Sequence, residues 1–156
     1  MTESGARRAE AADLPELAEL VRVCIAELST QRGGPMWAIT DARTEPIEDS
    51  IARDLESADA LVLCGLYDGV TMGLAVARIV PTSDTQIYTR VTDLFTLPDA
   101  RHVGVGEAMM DECVSWSRLR GAMAIDAAVL PGTRDAKNFF EGFGLTARAL
   151  TVSLKL

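Results

Sequence analysis

The stretch "TLPDARHVGVGEAMM", residues 96–110, joins a strand-like run to a helix-like one with almost no spacer. Asp93 to Leu97 read as β-type sequence, Pro98 opens a short polar turn, and Val105, Met109, Cys113 and Trp116 then line one face at helical spacing. Gly104 and Gly106 fall where that helix must nucleate, although a glycine costs about 1 kcal/mol against alanine in a helix interior. A backbone bare of side chains at this point permits close approach. The first turn of a helix also presents unpaired N–H groups and a partial positive charge, which suits an anion and phosphate above all. Arg101 and His102 add donors beside that nest, so a diphosphate is the natural guest. The third glycine of a Rossmann fingerprint is absent, and no Gly-Lys-Ser/Thr follows to make a P-loop. A tight strand-to-helix turn without a ligand is the competing reading.

The 156 residues are expected to form one domain, 1–156, with a sizeable core. With 48% hydrophobic and only 5% aromatic residues, that core is built from Leu, Val, Ala, Ile and Met. The net charge of −8 argues against nucleic-acid and anionic-membrane partners, which need a basic face. It fits a cationic partner or simple solubility. Cys24, Cys64 and Cys113 are far apart and all sit in apolar runs, and His102 is the only histidine. No metal site is expected, and the thiols read as buried and inert. The first residues hold no apolar signal core and no apolar run approaches 18 residues, so neither secretion nor a membrane span is expected and the location reads as cytoplasmic.

Residues 6–11 read as a short edge strand. Asp13 is placed as the N-cap of a helix, with Pro15 in its first turn and Glu16 three residues on. Leu17, Leu20, Val21, Cys24 and Leu28 form the apolar stripe of that helix. Residues 29–46 read as a loop, and Ile47, Ile51 and Leu55 mark a second helix that fades by Ser57. Strands are expected at 60–67, 70–80 and 87–97, with a hairpin at Asp68-Gly69. After the helix that Gly121 stops come a strand at 122–130, a helix at 133–144, and a final strand in "LTARALTVSLKL" that closes the sheet. The order is α+β, a mixed sheet covered by helices.

"DLFTLPDARHVGVGEAMM" resembles the acyl-CoA-binding motif of the GCN5-related N-acetyltransferase (GNAT) family, a strand ending near proline followed by Arg/Gln-x-x-Gly-x-Gly/Ala and a helix. "DAKNFFEGFGL", residues 135–145, is similar to the family's second motif, Ala-x-x-Phe-Tyr-Glu-x-x-Gly-Phe. The resemblance covers nearly the whole chain, with residues 29–46 and 81–87 outside the pattern. It implies a largely antiparallel mixed sheet with helices on both faces and its fourth and fifth strands splayed apart. It also implies acetyl-CoA as co-substrate. The pyrophosphate would sit on the N–H groups of His102, Val103, Gly104, Val105, Gly106 and Glu107, beside Arg101. The pantetheine arm would lie along Leu94, Phe95, Thr96 and Leu97. Thr133 stands where many members carry an asparagine, and Phe140 would line the thiol end of the slot. Arg134 and Lys137 are either CoA-phosphate partners or residues of a solvated face.

The same resemblance exposes two departures. The tyrosine that often protonates the leaving thiolate is Phe140 here, and a glutamate used as base in some members corresponds to Ala128. Amine attack on a thioester needs its ammonium proton removed, by a base or a water chain. Asp93 is the leading base candidate, read alternatively as an exposed carboxylate or a partner of Arg90. Asp126 is second, and Tyr88 is a substitute proton donor only if the fold brings it near. Trp37 lies where members bind the acceptor, although packing explains it as well, whereas Trp116, Phe139 and Phe143 read as core. The implied activity is an N-acyltransferase acting directly on a small amine or peptide amine. A CoA-binding module without turnover is the alternative, and a homodimer is left open. Neither the acceptor nor the acyl group is specified by these residues.

Overall fold

The computed structural model describes residues 2–156. Its elements run β1 (Ser4–Arg8), α1 (Leu14–Leu28), α2 (Gly34–Thr40), α3 (Ile47–Glu56), β2 (Ala60–Tyr67), β3 (Val70–Pro81), β4 (Ile87–Thr96), α4 (Val105–Leu119), β5 (Ile125–Ala127) and α5 (Arg134–Gly142). Single 3-10 turns occupy Ala11–Asp13 and Pro98–Ala100. The sheet order is β1-β2-β3-β4-β5. The first three pairings are antiparallel and β4 pairs β5 in parallel. Asp68 and Gly69 turn the β2–β3 hairpin with φ of +49° and +80°, the geometry their residue types favour.

Alternation along the strands sends side chains to two cores. On one face Leu17, Leu20 and Val21 of α1, with Ile47 and Ile51 of α3, cover Val62, Cys64, Leu74, Val76 and Phe95. On the other, Val105, Met109, Met110, Cys113 and Trp116 of α4, with Phe140 of α5, cover Leu61, Leu63, Ala75, Ala77 and Val91. Each large side chain fully buried contributes about 1.5–3 kcal/mol. Gly65 lets α4 lie close to the sheet, since a Cβ there would stand 2.7 Å from the Met109 sulfur.

A β-bulge interrupts β4. Val76 faces Asp93 and Ala77 faces Val91, so Thr92 is an extra residue and the inside–outside alternation reverses across it. Val91 therefore belongs to the α4 core, whereas Asp93 and Phe95 turn toward α1 and α3. Without the bulge Asp93 would enter the α4 core.

Four expectations need correction. The first strand lies at Ser4–Arg8, not 6–11, and pairs Arg8 with Leu63. Residues 29–46 are not all loop, because α2 forms inside them. Gly33 takes φ of +82° before α2, and a Cβ on Gly34 would stand 1.9 Å from the Leu28 carbonyl, so this glycine pair turns the chain tightly off the end of α1. β5 is three residues rather than nine, with only bonds from Met123 N–H to the Ile87 carbonyl and from Thr89 N–H to the Ala124 carbonyl continuing it backward. Residues 145–156 form no strand and do not close the sheet.

Asp13 precedes α1 as expected but makes no cap bond to it. Its carboxylate instead accepts the Glu10 N–H at 2.8 Å and two bonds from the Arg7 guanidinium at 2.7 and 2.8 Å. The Arg7 bonds, aided by Glu10 and only partly opposed by burial, hold this carboxyl well below its ordinary range. A depressed carboxyl stabilises the fold above the unfolded-state pKa near 4, and that stability is lost as pH falls toward the folded value. Asp13→Asn should therefore cost up to about 1 kcal/mol near neutrality through the lost Arg7 pair, with the gap to the parent closing as pH falls below about 4. Urea titrations of both proteins from pH 7 to pH 2 check this; a gap independent of pH would remove the charge from the account.

Candidate functional site

The turn after β4 is held from beneath. Leu97 N–H donates to the Met72 carbonyl at 2.9 Å, prolonging the β3 pairing, and Ala100 is buried. The chain then reverses through His102 and Gly104, with φ of +63° and +95°, and α4 starts at Val105. No backbone or side-chain acceptor among the described residues receives the N–H groups of His102, Val103, Gly104, Val105, Gly106 or Glu107. Six consecutive donors are thus left for solvent or a ligand. A Cβ on Gly104 would stand 2.7 Å from the Ser4 hydroxyl, and one on Gly106 would stand 3.3 Å from the Phe139 ring. The two glycines therefore answer different needs, the first a left-handed turn against β1 and the second close packing by α5.

Arg101 is committed elsewhere. Its Nε donates to the Thr96 carbonyl at 3.0 Å, and its Nη2 bonds both Glu27 carboxylate oxygens at 2.8 and 2.9 Å. The guanidinium also lies 5.5 Å from the Phe95 ring centre. Its side chain ties the turn to the C-terminal end of α1 instead of pointing a free cation at the nest. Lys137 stands 3.7 Å from Glu141 on its own helix.

Next to the nest, β4 loses its neighbour. The β4–β5 ladder has three pairs, Thr89 with Ile125, Arg90 with Asp126 and Val91 with Ala127. From Thr92 to Thr96 the β5-side edge of β4 is unpaired, which is the parting of the fourth and fifth strands that the family resemblance implies. Leu94 packs at the border of the α4 core and Phe95 is buried on the opposite face. Phe140 is buried, its ring edge-on to Phe139 at 5.3 Å. The Thr133 hydroxyl donates to the Leu130 carbonyl at 2.7 Å, closing its own turn ahead of α5.

On the α1–α3 face a cleft of about 260 Å³ opens over β4, lined among others by Trp37, Asp41, Arg43, Ser50, Arg78 and Asp93. Its floor is a charge network. Arg43 bonds both Asp93 oxygens at 2.9 and 2.8 Å, Asp54 at 2.7 Å and the Ser50 hydroxyl at 2.8 Å. Arg78 bonds both oxygens of the same Asp54, each at 2.8 Å, and the Thr92 hydroxyl donates to Asp93 at 2.7 Å. Burial works against charge on Arg43, but the bonds to Asp93 and Asp54 outweigh it and keep its pKa above the ordinary value.

This alters the reading of the proton-transfer candidates. Asp93 is neither an exposed carboxylate nor a partner of Arg90, for both its oxygens are engaged by Arg43. Asp126 is bonded by Arg148, which, against a smaller effect of burial, holds its carboxyl below the usual range and weakens it as a base. Tyr88 faces Val80 near the start of β4. Six residues at about 3.3 Å each put it roughly 20 Å from Leu94, too far to serve the same slot. Arg43, Ser50, Asp54 and Arg78 were not singled out from the sequence. Two signals were there: Arg78 interrupts the apolar run of β3, and Asp54 falls seven residues after Ile47, on the buried face of α3.

The chain belongs to the acetyltransferase (GNAT) family, whose profile matches residues 25–145. The fold is that of solved acetyltransferases. A mutant of the BH1408 protein from Bacillus halodurans superposes with a TM-score of 0.81 at 19% identity, over 97% of this chain and 98% of that one. An aminoglycoside acetyltransferase from an uncultured soil metagenomic sample, bound to sisomicin, gives 0.71 at 14% identity, over 98% and 95%. A ribosomal-protein-alanine N-acetyltransferase from Brucella melitensis gives 0.68 at 15% identity, over 100% and 99%. No curated protein matches the sequence significantly. Among the described residues no helix is long and apolar enough to cross a membrane, and no cluster of His, Cys, Asp and Glu could hold a metal ion.

Burial pushes the thiols of Cys24, Cys64 and Cys113 up to about 12. At pH 8 each would be thiolate to about one part in ten thousand, so the folded protein should react with Ellman's reagent far more slowly than free cysteine. All three thiols should titrate promptly in denaturant. A fast-reacting native thiol would contradict the burial assigned to it.

Proposed function

We propose that this chain transfers an acetyl group from acetyl-CoA directly to the amine of a small molecule or peptide. The observation that carries the reading is the row of six unclaimed N–H groups at residues 102–107, lying beside the unpaired β4 edge. A diphosphate fits those donors, and an amide-bearing pantetheine arm fits the β4 edge that has no neighbouring strand at Leu94–Thr96, where Arg101 takes only the Thr96 carbonyl. Bound acetyl-CoA supplies an activated thioester carbonyl. Anion binding here rests on the backbone, since Arg101 is held by Glu27.

The cleft over β4 suits the acceptor. Trp37 and Asp41 lie one helical turn apart at its lining, and the chain's net charge of −8 favours approach of a cationic amine. The sisomicin-bound relative takes an aminoglycoside and another a ribosomal protein, so both small-molecule and protein amines are served by this fold. Asp93 acts as a positioning residue that sets Arg43 in the cleft, and the ammonium proton leaves to water in the open cleft. Phe140 has no proton for the departing thiolate, which leaves unassisted. General acid or base help is worth about 10²–10⁴-fold, so orientation of the two substrates has to supply most of the acceleration. The Phe140 position also favours a second reading, a CoA-binding module without turnover. Thiol release measured over a panel of amines separates the two.

CoA at a hundredfold its dissociation constant should add about 2.7 kcal/mol of stability, seen as a raised Tm. Gly106→Asp puts a carboxylate in the first turn of α4, where its Cβ asks the Phe139 ring to give by a few tenths of an ångström, and it repels phosphate. His102→Asp repels it likewise, at a left-handed position that Asp accepts. Both variants should stay folded and lose most of the CoA shift. An undiminished shift in both would overturn the nest assignment.

Asp93→Asn should lower Tm and reduce kcat/KM by about tenfold or more through displacement of Arg43, while the pH–rate profile keeps its shape. Loss of the acid limb of that profile at an unchanged Tm would instead make Asp93 the base.

A further inference from the structure

Two guanidinium side chains stand next to each other on the sheet with no carboxylate bridging them. Arg78 of β3 and Arg90 of β4 are Cα partners, so their side chains share a face, the one from which Asp54 of α3 bonds Arg78. Like charges directly opposite one another in a sheet are destabilising. Arg90 reaches Asp126 only at 4.0 Å, and Asp126 is already engaged by Arg148. Through these contacts Arg43, Arg78, Arg90 and Arg148 share Asp54, Asp93 and Asp126, which leaves one positive charge in excess on a chain whose net charge is −8.

Arg78 also keeps donors in reserve. Its Nε and Nη2 meet Asp54 side-on at 2.8 Å each, and among the described residues nothing accepts from its Nη1. A guanidinium held along one edge still presents a second fork, Nη1 with the outer Nη2 hydrogen, and that fork matches a carboxylate. Arg43 is buried in the floor of the cleft, whereas the Arg78 side chain is 43% exposed, so its free fork belongs to the wall. Asp41, at the end of α2, lines the same cleft with the opposite sign and spends only one oxygen, on the Thr40 hydroxyl. Size and spacing narrow the guest. The cleft holds about 260 Å³, below the roughly 300–1,000 Å³ of pockets that take drug-sized ligands. Arg78 lies opposite Arg90, two residues before Thr92, where β4 parts from β5. At about 3.3 Å per residue the step is about 7 Å, so a guest that spans it carries its anion and its amine a few bonds apart.

We infer that the acceptor is an amino acid, whose carboxylate is received by Arg78 beside the charge of Arg90 and whose amine is thereby aimed at the parting of β4 and β5. The inference rests on the reading that this cleft takes the acceptor. Arg78 is then the residue that sets specificity, by separating amines that carry a carboxylate from those that do not. A zwitterion is neutral overall, so the negative field of the chain does not turn it away as it would a simple carboxylate.

Acetyl transfer to the twenty amino acids, each assayed beside its carboxamide, tests this. At least one acid should exceed its amide in kcat/KM by about tenfold or more, the worth of a charge-assisted hydrogen bond. Arg78→Gln should bring that ratio close to one, chiefly through KM, and Arg78→Lys should restore part of it. A merely structural Arg78 would lower acid and amide alike. Should Arg78→Gln fail to fold, Arg90→Gln, at a half-exposed side chain, should lower the same ratio. Amides that match their acids throughout overturn the inference, as does a ratio that the folded variants leave unmoved. If no amine is acetylated at all, the transfer reading has failed and binding decides. An amino acid that raises the Tm of the CoA-saturated parent more than its amide does, but not that of the variant, supports the carboxylate site; equal shifts overturn it.

Discussion

The proposed site depends on β4 surrendering one edge halfway along its length. A strand interior to a sheet normally spends both edges on backbone hydrogen bonds, and leaving one unpaired exposes a row of donors and acceptors. Here β4 keeps β3 along its whole length, from Pro81–Ile87 to Gly73–Thr96, but keeps β5 only at Thr89–Val91. β3 holds the released half from one side, and anchorage secures its end. The Met72 carbonyl takes the Leu97 N–H, and Arg101 clamps the Thr96 carbonyl while reaching Glu27 on α1. The open edge and the N–H row at the start of α4 are therefore parts of one rigid unit.

The charge network on the opposite face is built on different terms. Taking Arg43 and Asp54 out of water is costly, and such pairs rarely gain net stability over an apolar core of equal volume. Their use here is placement. Arg43 sits in the connection between α2 and α3, and its bonds to α3 through Ser50 and Asp54 and to β4 through Asp93 hold that connection over the sheet. Arg78 on β3 closes the set through Asp54. An acceptor entering the cleft would meet a floor whose polar groups already satisfy one another, so its orientation falls to the walls, Trp37 and Asp41 among them.

Much of this was legible in the residues. The apolar stripes of α1, α3 and α4, the Asp68-Gly69 hairpin and the strand–glycine–helix passage each carry a local signal, and each formed where its signal lay. What escaped was decided by tertiary contact. Gly33 and Gly34 are the residues a loop would use, and only the carbonyl of Leu28 beside Gly34 shows that the glycine there serves close packing against the end of α1. The bulge at Thr92 has no local signature, so the face on which Asp93 emerges could not be read, nor its partner fifty residues away. The last residues alternate as an edge strand should, but alternation specifies a strand without saying whose sheet it joins.

The bulge at Thr92 also sets where this chain can change length. Because alternation reverses there, adding or deleting one residue between Val91 and Thr96 would exchange inside for outside: Phe95 would leave its core, and Asp93 would lose Arg43 for a layer of methionine and leucine. The exposed turn at 82–86, ahead of β4, has no such parity to keep, as its bonds run among Thr82, Asp84 and Gln86 themselves. Insertions should therefore accumulate in that turn during divergence, while the spacing from Val91 to Gly104 stays fixed. A loop graft intended to reshape the protein would belong at the former and fail at the latter.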